Sequence, residues 1–170
     1  HLFAAVKKDS TAWIFGNRVP MFSIKDFVTF SSSLYITAII HSDGNLTCMV
    51  TCIDEKRVTQ HYEGPFIKLC STFSEVMCLK ENGEVLVFSY DNDTHVIKSK
   101  NLYLDKTVDT VYSANDLTFG MMNKDAGIFY IYIPDTKQVI KYHLDGIVGC
   151  YPSVFMAGLS NTGKCVGWFG

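Results

Sequence analysis

One segment late in the sequence has the spacing of a phosphate-binding loop. Gly158-Leu159-Ser160-Asn161-Thr162-Gly163-Lys164 satisfies GxxxxGK, the pattern in which backbone amides surround phosphate oxygens and a lysine adds positive charge. That loop also needs a serine or threonine after the lysine, to bind magnesium, and a helix whose N-terminus faces the phosphates. Cys165 follows instead, and the sequence has no sustained 3.6-residue apolar period. We interpret the segment as a hairpin turn and expect no cofactor.

The titratable residues show no pattern typical of catalysis or metal binding. No histidine accompanies a serine or cysteine in a recognisable nucleophile motif, so we interpret the histidines as surface or hydrogen-bonded core residues. The acids of Asp91-Asn92-Asp93 suit calcium by type, but calcium needs more oxygen ligands on a fixed loop. We therefore predict neither a catalytic nor a metal site. The histidines are His1, His41, His61, His95 and His143.

The six cysteines contain no CxxC pair, and no Cys/His spacing matches a zinc site. Cys48 and Cys52 fall in one predicted strand, where their side chains lie too far apart for a disulfide. We interpret the cysteines as buried free thiols and expect an intracellular protein, cytoplasmic or nuclear. The Asn-x-Thr triplets at Asn45 and Asn92 are the opposing indication of secretion.

Charge and hydropathy argue against nucleic acid and membrane partners. The formal net charge is −2, with lysines and acids interspersed, and no basic stripe is visible. The longest apolar run, Ile128 to Ile133, is far too short to span a membrane. We expect neither direct nucleic-acid binding nor membrane insertion. The sequence begins at His1 rather than at a methionine, so we expect a piece of a longer polypeptide.

Five short turns divide the sequence at similar intervals. Their last residues, at positions 10, 44, 83, 127 and 163, lie 34 to 44 residues apart. Asp-Gly and Asn-Gly favour tight hairpins because glycine adopts a positive φ at little cost. The turns are His41-Ser42-Asp43-Gly44, Lys80-Glu81-Asn82-Gly83, Lys124-Asp125-Ala126-Gly127, Ser160-Asn161-Thr162-Gly163 and a copy without glycine, Lys7-Lys8-Asp9-Ser10.

Apolar residues recur at fixed distances from these turns, which indicates a repeat in a chain that is only 48% hydrophobic. Two residues after each turn come Ala12, Leu46, Val85, Phe129 and Cys165, and five after it Phe15, Met49, Phe88, Tyr132 and Trp168.

Each unit contains short stretches rich in Val, Ile, Phe, Tyr and Thr, joined by short polar segments, which predicts four strands per unit. The predicted strands are Phe27–Ser31, Tyr35–Ile40, Asn45–Cys52 and Val58–Tyr62; Phe66–Cys70, Val76–Lys80, Glu84–Ser89 and His95–Lys100; and Val108–Tyr112, Leu117–Asn123, Ile128–Ile133 and Gln138–Tyr142.

This arrangement predicts an all-β fold of β-propeller blades, each made of four antiparallel strands. We expect whole blades at 27–64, 65–107 and 108–145, a partial blade at 1–26 without its first strand, and a partial blade at 146–170 that stops after its third. Because an unclosed set would expose blade faces, we expect a missing part of the chain, or a second copy, to complete the ring.

The unit resembles the repeat of the regulator of chromosome condensation family of seven-bladed propellers. In that repeat a short apolar strand precedes a second strand, an acidic-Gly turn and a strand ending in Trp-Gly. The family's glycine after the first strand is replaced by Ser31, Ser71 and Tyr151. The resemblance implies a seven-bladed ring. The matching stretches are Ile67–Cys70, Val76–Leu79, Glu81–Val85 with Phe88 in the Trp position, and the ends Trp13–Asn17 and Val166–Gly170.

Members of that family include exchange factors for Ran-type GTPases, ubiquitin-ligase subunits and protein-binding scaffolds. We expect a non-enzymatic protein–protein interaction scaffold that binds another protein, such as a small GTPase or a ubiquitin-pathway component. The alternative is a guanine-nucleotide exchange factor for a small Ran-type GTPase. An enzyme would need ionisable side chains clustered at the central shaft, whereas the predicted inner strands are mostly apolar.

Loops are the expected binding surface. One face of the ring should carry the glycine turns and the links between blades, and the other the segments 31–33, 55–57, 71–74, 115–116 and 135–137. In the longest link, 101–107, Tyr103 either anchors a partner or packs between blades, and packing is the preferred interpretation. The candidate partner-binding residues are Asp43, Glu81, Lys124, Asp125, Lys164 and Tyr103.

Overall fold

The computed structural model describes residues 2–9, 11–16, 19–50, 58–113, 117–143, 146–151, 156–160 and 162–168. All regular elements within these ranges are β-strands. No helix in the described part of the chain is long and apolar enough to cross a membrane.

The strands form five antiparallel sheets, and within each sheet they lie side by side in chain order. Sheets 2, 3 and 4 have four described strands each, and sheets 1 and 5 have three. Sheet 1 contains β1 (Leu2–Val6), β2 (Ala12–Gly16) and β3 (Val19–Ile24); sheet 2 contains β4 (Phe27–Ser32), β5 (Ile36–His41), β6 (Leu46–Val50) and β7 (Thr59–Tyr62); sheet 3 contains β8 (Phe66–Ser71), β9 (Glu75–Lys80), β10 (Val85–Asp91) and β11 (Val96–Leu102); sheet 4 contains β12 (Thr110–Ser113), β13 (Phe119–Asn123), β14 (Ile128–Ile133) and β15 (Gln138–His143); sheet 5 contains β16 (Ile147–Tyr151), β17 (Met156–Ser160) and β18 (Cys165–Trp168).

The predicted all-β architecture of four-stranded antiparallel sheets is confirmed. The run Ile128 to Ile133, predicted as one strand, is β14, and most other strand ends differ from the prediction by one or two residues. The strand predicted from Asn45 to Cys52 is β6, which ends at Val50; Cys52 lies outside the described residues.

The glycine turns are hairpins with a shared hydrogen-bond pattern. In the turn of sheet 2, the Gly44 amide donates to the His41 carbonyl at 3.0 Å, and Gly44 has φ +82°. The Gly83 and Gly163 amides make the same bond, to Lys80 and Ser160. The segment Gly158–Lys164 is therefore a hairpin turn, as predicted.

Side chains that alternate along one strand pack against different neighbouring sheets. In β9, Val76 and Cys78 belong to the apolar cluster shared with sheet 2, whereas Met77 and Leu79 belong to the cluster shared with sheet 4. Successive side chains of a strand point to opposite faces, so an apolar run such as Val76–Leu79 is covered on both sides. Sheets 1 and 2 share a third cluster around Ile14 and Ile39.

The first strands of consecutive sheets lie beside each other. β8 contacts β4 on one side and β12 on the other. The Ser31 and Ser71 hydroxyls are 2.7 Å apart, and the Lys68 ammonium donates to the Thr110 hydroxyl at 2.8 Å. The sheets are therefore stacked around a common inner side, which their first strands line.

The prediction of buried cysteines holds for only part of the set. Cys48, Cys70, Cys78 and Cys165 are free thiols, and Cys48 and Cys78 are buried. Cys70 is half-buried, and Cys165 is exposed because it begins β18, the last described strand at an edge of sheet 5. The expectation of burial was wrong for Cys165.

Candidate functional site

The turns between second and third strands and the links between sheets lie on one side of the molecule, here called the glycine-turn face. The Phe66 amide donates to the Gly44 carbonyl at 2.8 Å, and the Glu81 amide to the Pro65 carbonyl at 3.0 Å. The Asn123 side-chain amide likewise donates to the Thr107 carbonyl at 2.7 Å. The links between sheets 2 and 3 and between sheets 3 and 4 are thus held by hydrogen bonds to residues at the glycine turns beside them.

All six candidate partner-binding residues are exposed on this face. They stand on the turns of four successive sheets or on a link, and no hydrogen bond or ion pair between described residues joins any two of them. Asp43 is held within its own turn, where its carboxylate accepts hydrogen bonds from the Asn45 amide and side chain, both at 2.9 Å. The hydrogen bond from the Asn45 backbone amide contributes most to lowering the pKa of Asp43. The six residues are Asp43, Glu81, Tyr103, Lys124, Asp125 and Lys164.

The preferred interpretation of the link, that Tyr103 packs between blades, was wrong. Its side chain is 93% exposed, while Leu102 before it is buried and Leu104 after it packs against the cluster between sheets 3 and 4. Asp105 then accepts a hydrogen bond from Tyr130 at 2.5 Å and pairs with Lys141. The two leucines fill the seam, and alternation along the extended link directs Tyr103 to solvent.

The acidic turn at Asp91 serves its own hairpin. The Asp91 carboxylate accepts hydrogen bonds from the Asp93 and Thr94 amides at 2.9 and 3.1 Å and pairs with Lys98. Among the described residues, no three His, Cys, Asp or Glu side chains come close enough together to hold a metal ion.

The opposite side carries the turns between first and second strands and also those between third and fourth strands, and it is here called the first-turn face. It presents an apolar side chain at the same turn of three consecutive sheets. Leu34 is 43% exposed, Phe73 is 56% exposed and Leu117 is 61% exposed. The Leu34 amide donates to the Phe73 carbonyl at 2.8 Å, so these two turns are in direct contact.

Phe73 stays exposed although its sheet is covered on both flanks. Sheet 3 lies between the four-stranded sheets 2 and 4 and shares an apolar cluster with each. The exposure of Phe73 is therefore a property of the first-turn face rather than of an uncovered neighbour. Sequence reasoning did not single out Phe73, Leu34 or Leu117. The signal was present: an apolar residue follows Ser or Thr in the first turns of sheets 2 and 3, at Leu34 and Phe73.

Charge is almost absent from the described residues of these first turns. Glu75 is the only charged side chain among them, and it is buried. Its carboxylate is neutralised by Lys137, whose ammonium lies 2.7 Å from Oε1. Of the hydroxylic residues beside these apolar side chains, Ser113 is exposed, whereas Ser33 and Thr72 are buried. The first turns are thus apolar, and the exposed charge of this face lies in the turns between third and fourth strands, which carry Asp93, Asp135 and Lys137.

A groove of about 710 Å³ opens at the glycine-turn face between sheets 1 and 2. Its apolar lining includes Ile24, Ile39 and Met49, which belong to the cluster between these sheets. Its polar lining comes mainly from sheet 2 and the segments beside it, with Ser23 of β3 and the adjacent Lys25 from the sheet 1 side. The ionisable side chains are Lys25, His41, Asp43, His61, Tyr62 and Glu63.

Two histidines of the groove are joined through one buried hydroxyl. Thr47 is only 5% exposed, and its Oγ1 lies 2.7 Å from His41 Nε2 and 2.9 Å from His61 Nδ1. His41 Nδ1 lies 3.0 Å from the Asp26 carbonyl oxygen. A carbonyl only accepts, so His41 Nδ1 carries a proton.

The same reasoning gives the direction of each hydrogen bond among His41, Thr47 and His61 when both histidines are neutral. Nε2 of neutral His41 accepts the Thr47 proton, and the Thr47 oxygen then accepts from His61 Nδ1. His61 Nε2 is thereby left with a lone pair and makes no hydrogen bond to a described residue. The sequence indicated hydrogen-bonded or surface histidines, but not that neighbouring strands would join two of them across twenty positions.

No protein-family model matches the chain, and no curated protein matches it either. Solved structures do share its fold. The Cps50 (Swd1) β-propeller domain from Myceliophteria thermophila matches 100% of this chain with a TM-score of 0.62 and 12% identity. The WD40 domain of SCAP from fission yeast matches 96% with a TM-score of 0.58 and 14% identity. Prp20p from Saccharomyces cerevisiae, whose structure is described with its binding properties to Gsp1p and histones, matches 85% with a TM-score of 0.60 and 10% identity.

These likenesses establish the fold: the five sheets are blades of a β-propeller. The chain spans 67% of the Cps50 domain, 48% of the SCAP domain and 44% of Prp20p. Since the proteins differ in kind and share little sequence with this chain, the shared feature is the blade.

Proposed function

We propose that the chain is a non-enzymatic protein-interaction module whose partner docks on the first-turn face. The observation that carries the proposal is the set of exposed side chains of Leu34, Phe73 and Leu117, on consecutive blades and without exposed charge among the described residues of the first turns themselves. Monomeric surfaces rarely leave apolar side chains grouped in this way unless they bind something. Aromatic anchors such as Phe73 are enriched where protein interfaces are buried.

The chemistry of the face also indicates the kind of partner. The apolar side chains of the first turns suit a protein segment that brings apolar side chains of its own. A strongly charged segment seated on these first turns would lose hydration without gaining an ion pair from their described residues. The preferred occupant is therefore an apolar, uncharged loop of another protein.

A matched pair of substitutions tests the proposal. The chain is used to capture proteins from an extract of its own source, as wild type, as Phe73→Ser with Leu117→Ser, and as Tyr103→Ser. All three positions are exposed, so the variants should fold. We expect a partner retained by the wild type and by Tyr103→Ser and lost, by about tenfold or more, from the double variant. Equal retention by the double variant would contradict docking on the first-turn face.

Membership of the regulator of chromosome condensation family is the finer part of this proposal. Its support is the acidic-Gly turn at Glu81–Val85 and the stretches Trp13–Asn17 and Val166–Gly170, which are similar to the Trp-Gly strand end of the family's repeat. With it we propose the blade boundaries given above, a seven-bladed ring completed by further chain or a second copy, and an intracellular location, which the free thiols favour.

Guanine-nucleotide exchange on a Ran-type GTPase is the second candidate. It is favoured by that family resemblance and by the structural similarity to Prp20p, described with its binding to Gsp1p. The charged glycine-turn face, with Asp43, Glu81, Lys124, Asp125 and Lys164, would then contact the GTPase. Release of mant-GDP from a panel of small GTPases tests this: acceleration by the chain supports exchange, and unchanged release from every member contradicts it.

A further inference from the structure

Thr47 and the two histidines bonded to it are here called the histidine bridge, and they meet at one buried hydroxyl. Among the described residues, the Thr47 hydroxyl bonds only with His41, at 2.7 Å, and with His61, at 2.9 Å. Thr47 is 5% exposed, so solvent offers its hydroxyl little access to another partner. A hydroxyl has one proton to donate and two lone pairs that accept. The number of protons on the two rings therefore decides whether this hydroxyl keeps an acceptor.

The histidine bridge accommodates a first proton without losing a hydrogen bond. On the exposed His61 ring the proton adds to Nε2, and every bond keeps its direction. On His41 the proton adds to Nε2, which then donates to Thr47. The hydroxyl in turn donates to Nδ1 of His61, whose own proton has passed through solvent to Nε2. In both forms the Thr47 proton has an acceptor.

A second proton leaves the Thr47 hydroxyl without an acceptor. When both rings are charged, His41 Nε2 and His61 Nδ1 each direct a proton at the Thr47 oxygen, which accepts both through its two lone pairs. The hydroxyl proton then has no acceptor among the described residues, and a buried donor without a partner is unfavourable. Two positive charges also face each other across a single hydroxyl.

We propose that the histidine bridge is a pH-sensitive switch, which takes up one proton in place and releases the His61 ring when it takes up a second. His61 leaves because it is exposed and bonds to no other described residue. His41 stays because the Asp26 carbonyl also holds it, 3.0 Å from Nδ1. The released ring changes the sheet 2 side of the groove. This switch lies on the glycine-turn face, so it stands or fails independently of docking on the first-turn face.

Charged groups around the histidine bridge affect how readily it takes up protons but do not replace Thr47. A lysine lines the groove from the sheet 1 side, and two carboxylates and a tyrosine line it from the sheet 2 side. Opposite charge favours a protonated ring and like charge disfavours it, but none of these four side chains hydrogen-bonds to either ring. The charge of His41 in turn adds to the Asn45 hydrogen bonds that lower the pKa of Asp43. The four groups are Lys25, Asp43, Tyr62 and Glu63.

Long-range proton–nitrogen NMR spectra of the whole chain test the switch, because they report which ring nitrogens carry protons. In a titration from about pH 8 to about pH 5, both neutral rings should carry their proton on Nδ1. One proton should then be shared by the two rings. A second step should follow with proton binding at least about tenfold weaker, together with loss of the nuclear Overhauser contact between the His61 ring and the Thr47 methyl group. A neutral His41 protonated on Nε2, or a His61 ring that keeps this contact through both steps, would overturn the proposal.

Substitutions of Thr47 separate the role of its hydroxyl from that of its packing. Thr47→Val keeps the shape of the side chain without the hydroxyl and should bring the two steps closer together. Thr47→Ser keeps the hydroxyl and should retain both steps. The internal control is His95, whose Nδ1 lies 3.1 Å from the Tyr90 hydroxyl on another blade, and it should titrate alike in all three proteins. An unchanged separation of the steps in Thr47→Val would show that the hydroxyl does not couple the rings and would contradict the switch.

Discussion

Cys48 and Cys78 lie in the apolar cluster between sheets 2 and 3, where burial raises the pKa of both thiols, that of Cys48 to about 12. Burial raises the pKa of Cys70 to about 12 as well. The interpretation of these three cysteines as small apolar side chains thus agrees with their surroundings. Alternation along a strand makes such burial predictable, but the exposure of Cys165 depends on which strand ends a sheet.

The raised thiol pKa values predict a stability that falls at alkaline pH. In the unfolded chain a thiol ionises near its ordinary pKa of 9.0, while in the folded chain the buried thiols stay protonated. The folded state therefore binds more protons above pH 9, and the free energy of unfolding decreases as pH rises from there toward 12. Urea unfolding at pH 7.5, 9 and 10 measures this. We expect a shallower decrease for Cys70→Ala, and a constant free energy of unfolding across that range would contradict the burial of the thiols.

Strands, turns and links are held together by tertiary contacts, which a prediction of strand positions does not include. The glycine turns were predictable because Asp-Gly and Asn-Gly favour a positive φ, and the period of the repeat was predictable from the apolar residues around them. The route of the link after β11 was not. The sequence Leu102-Tyr103-Leu104 nevertheless indicated it: in an extended link, two leucines separated by one residue point to the same side and can both pack between sheets 3 and 4, which leaves Tyr103 on the other side.

Substitutions at Gly83 and Gly163 distinguish two contributions to stability: the strain of alanine at positive φ in a turn, and the packing of a link against that turn. Both have positive φ, +84° and +77°, and alanine there costs about 1–2 kcal/mol for backbone strain. A Cβ at Gly83 would also lie 2.6 Å from the Thr107 Cβ, whereas none of the described atoms lies within 4 Å at Gly163. We expect Gly83→Ala to lower the free energy of unfolding by at least about 1 kcal/mol more than Gly163→Ala. Equal losses in urea unfolding would show that the link does not pack on the turn.

Lys137 joins sheet 4 to the buried Glu75 of sheet 3. Burial acts to lower the pKa of Lys137, but the hydrogen bond and charge of Glu75 outweigh it, and the pKa is raised. Lys137→Met keeps the aliphatic stem but leaves the carboxylate unpaired. We expect a loss of about 2 kcal/mol, below the value for a fully buried pair because Lys137 is half exposed.

The control for that substitution is Lys141→Met, which removes the partner of a carboxylate that is itself exposed, since the Asp105 side chain is 56% exposed and that of Glu75 only 5%. Surface pairs contribute only about 0–1 kcal/mol. Thermal or urea unfolding compares the two variants. A loss for Lys137→Met no larger than that for Lys141→Met would contradict a buried ion pair between sheets 3 and 4.

In the whole molecule, stacking of the blades places the glycine turns and links on one side and the first turns, together with the turns between third and fourth strands, on the other. The sequence predicted which segments share a face, because turns alternate between the two ends of an up-and-down sheet. It did not predict the exposed apolar side chains of the first turns, since the exposure of Phe73 depends on where neighbouring turns lie. The groove was equally hidden, because His41 and His61 come together only through the pairing of β5, β6 and β7.

Consecutive sheets are stacked with their first strands side by side, and an engineered disulfide between two of these strands checks that stacking. The Ser31 and Ser71 hydroxyls are 2.7 Å apart across the seam between sheets 2 and 3. Ser31→Cys with Ser71→Cys should form a disulfide under mild oxidation, detected by mass spectrometry as linked peptides containing positions 31 and 71. Ser31→Cys with Ser113→Cys, two blades apart, should not link. Absence of the first linkage, or equal linkage of both pairs, would contradict the account.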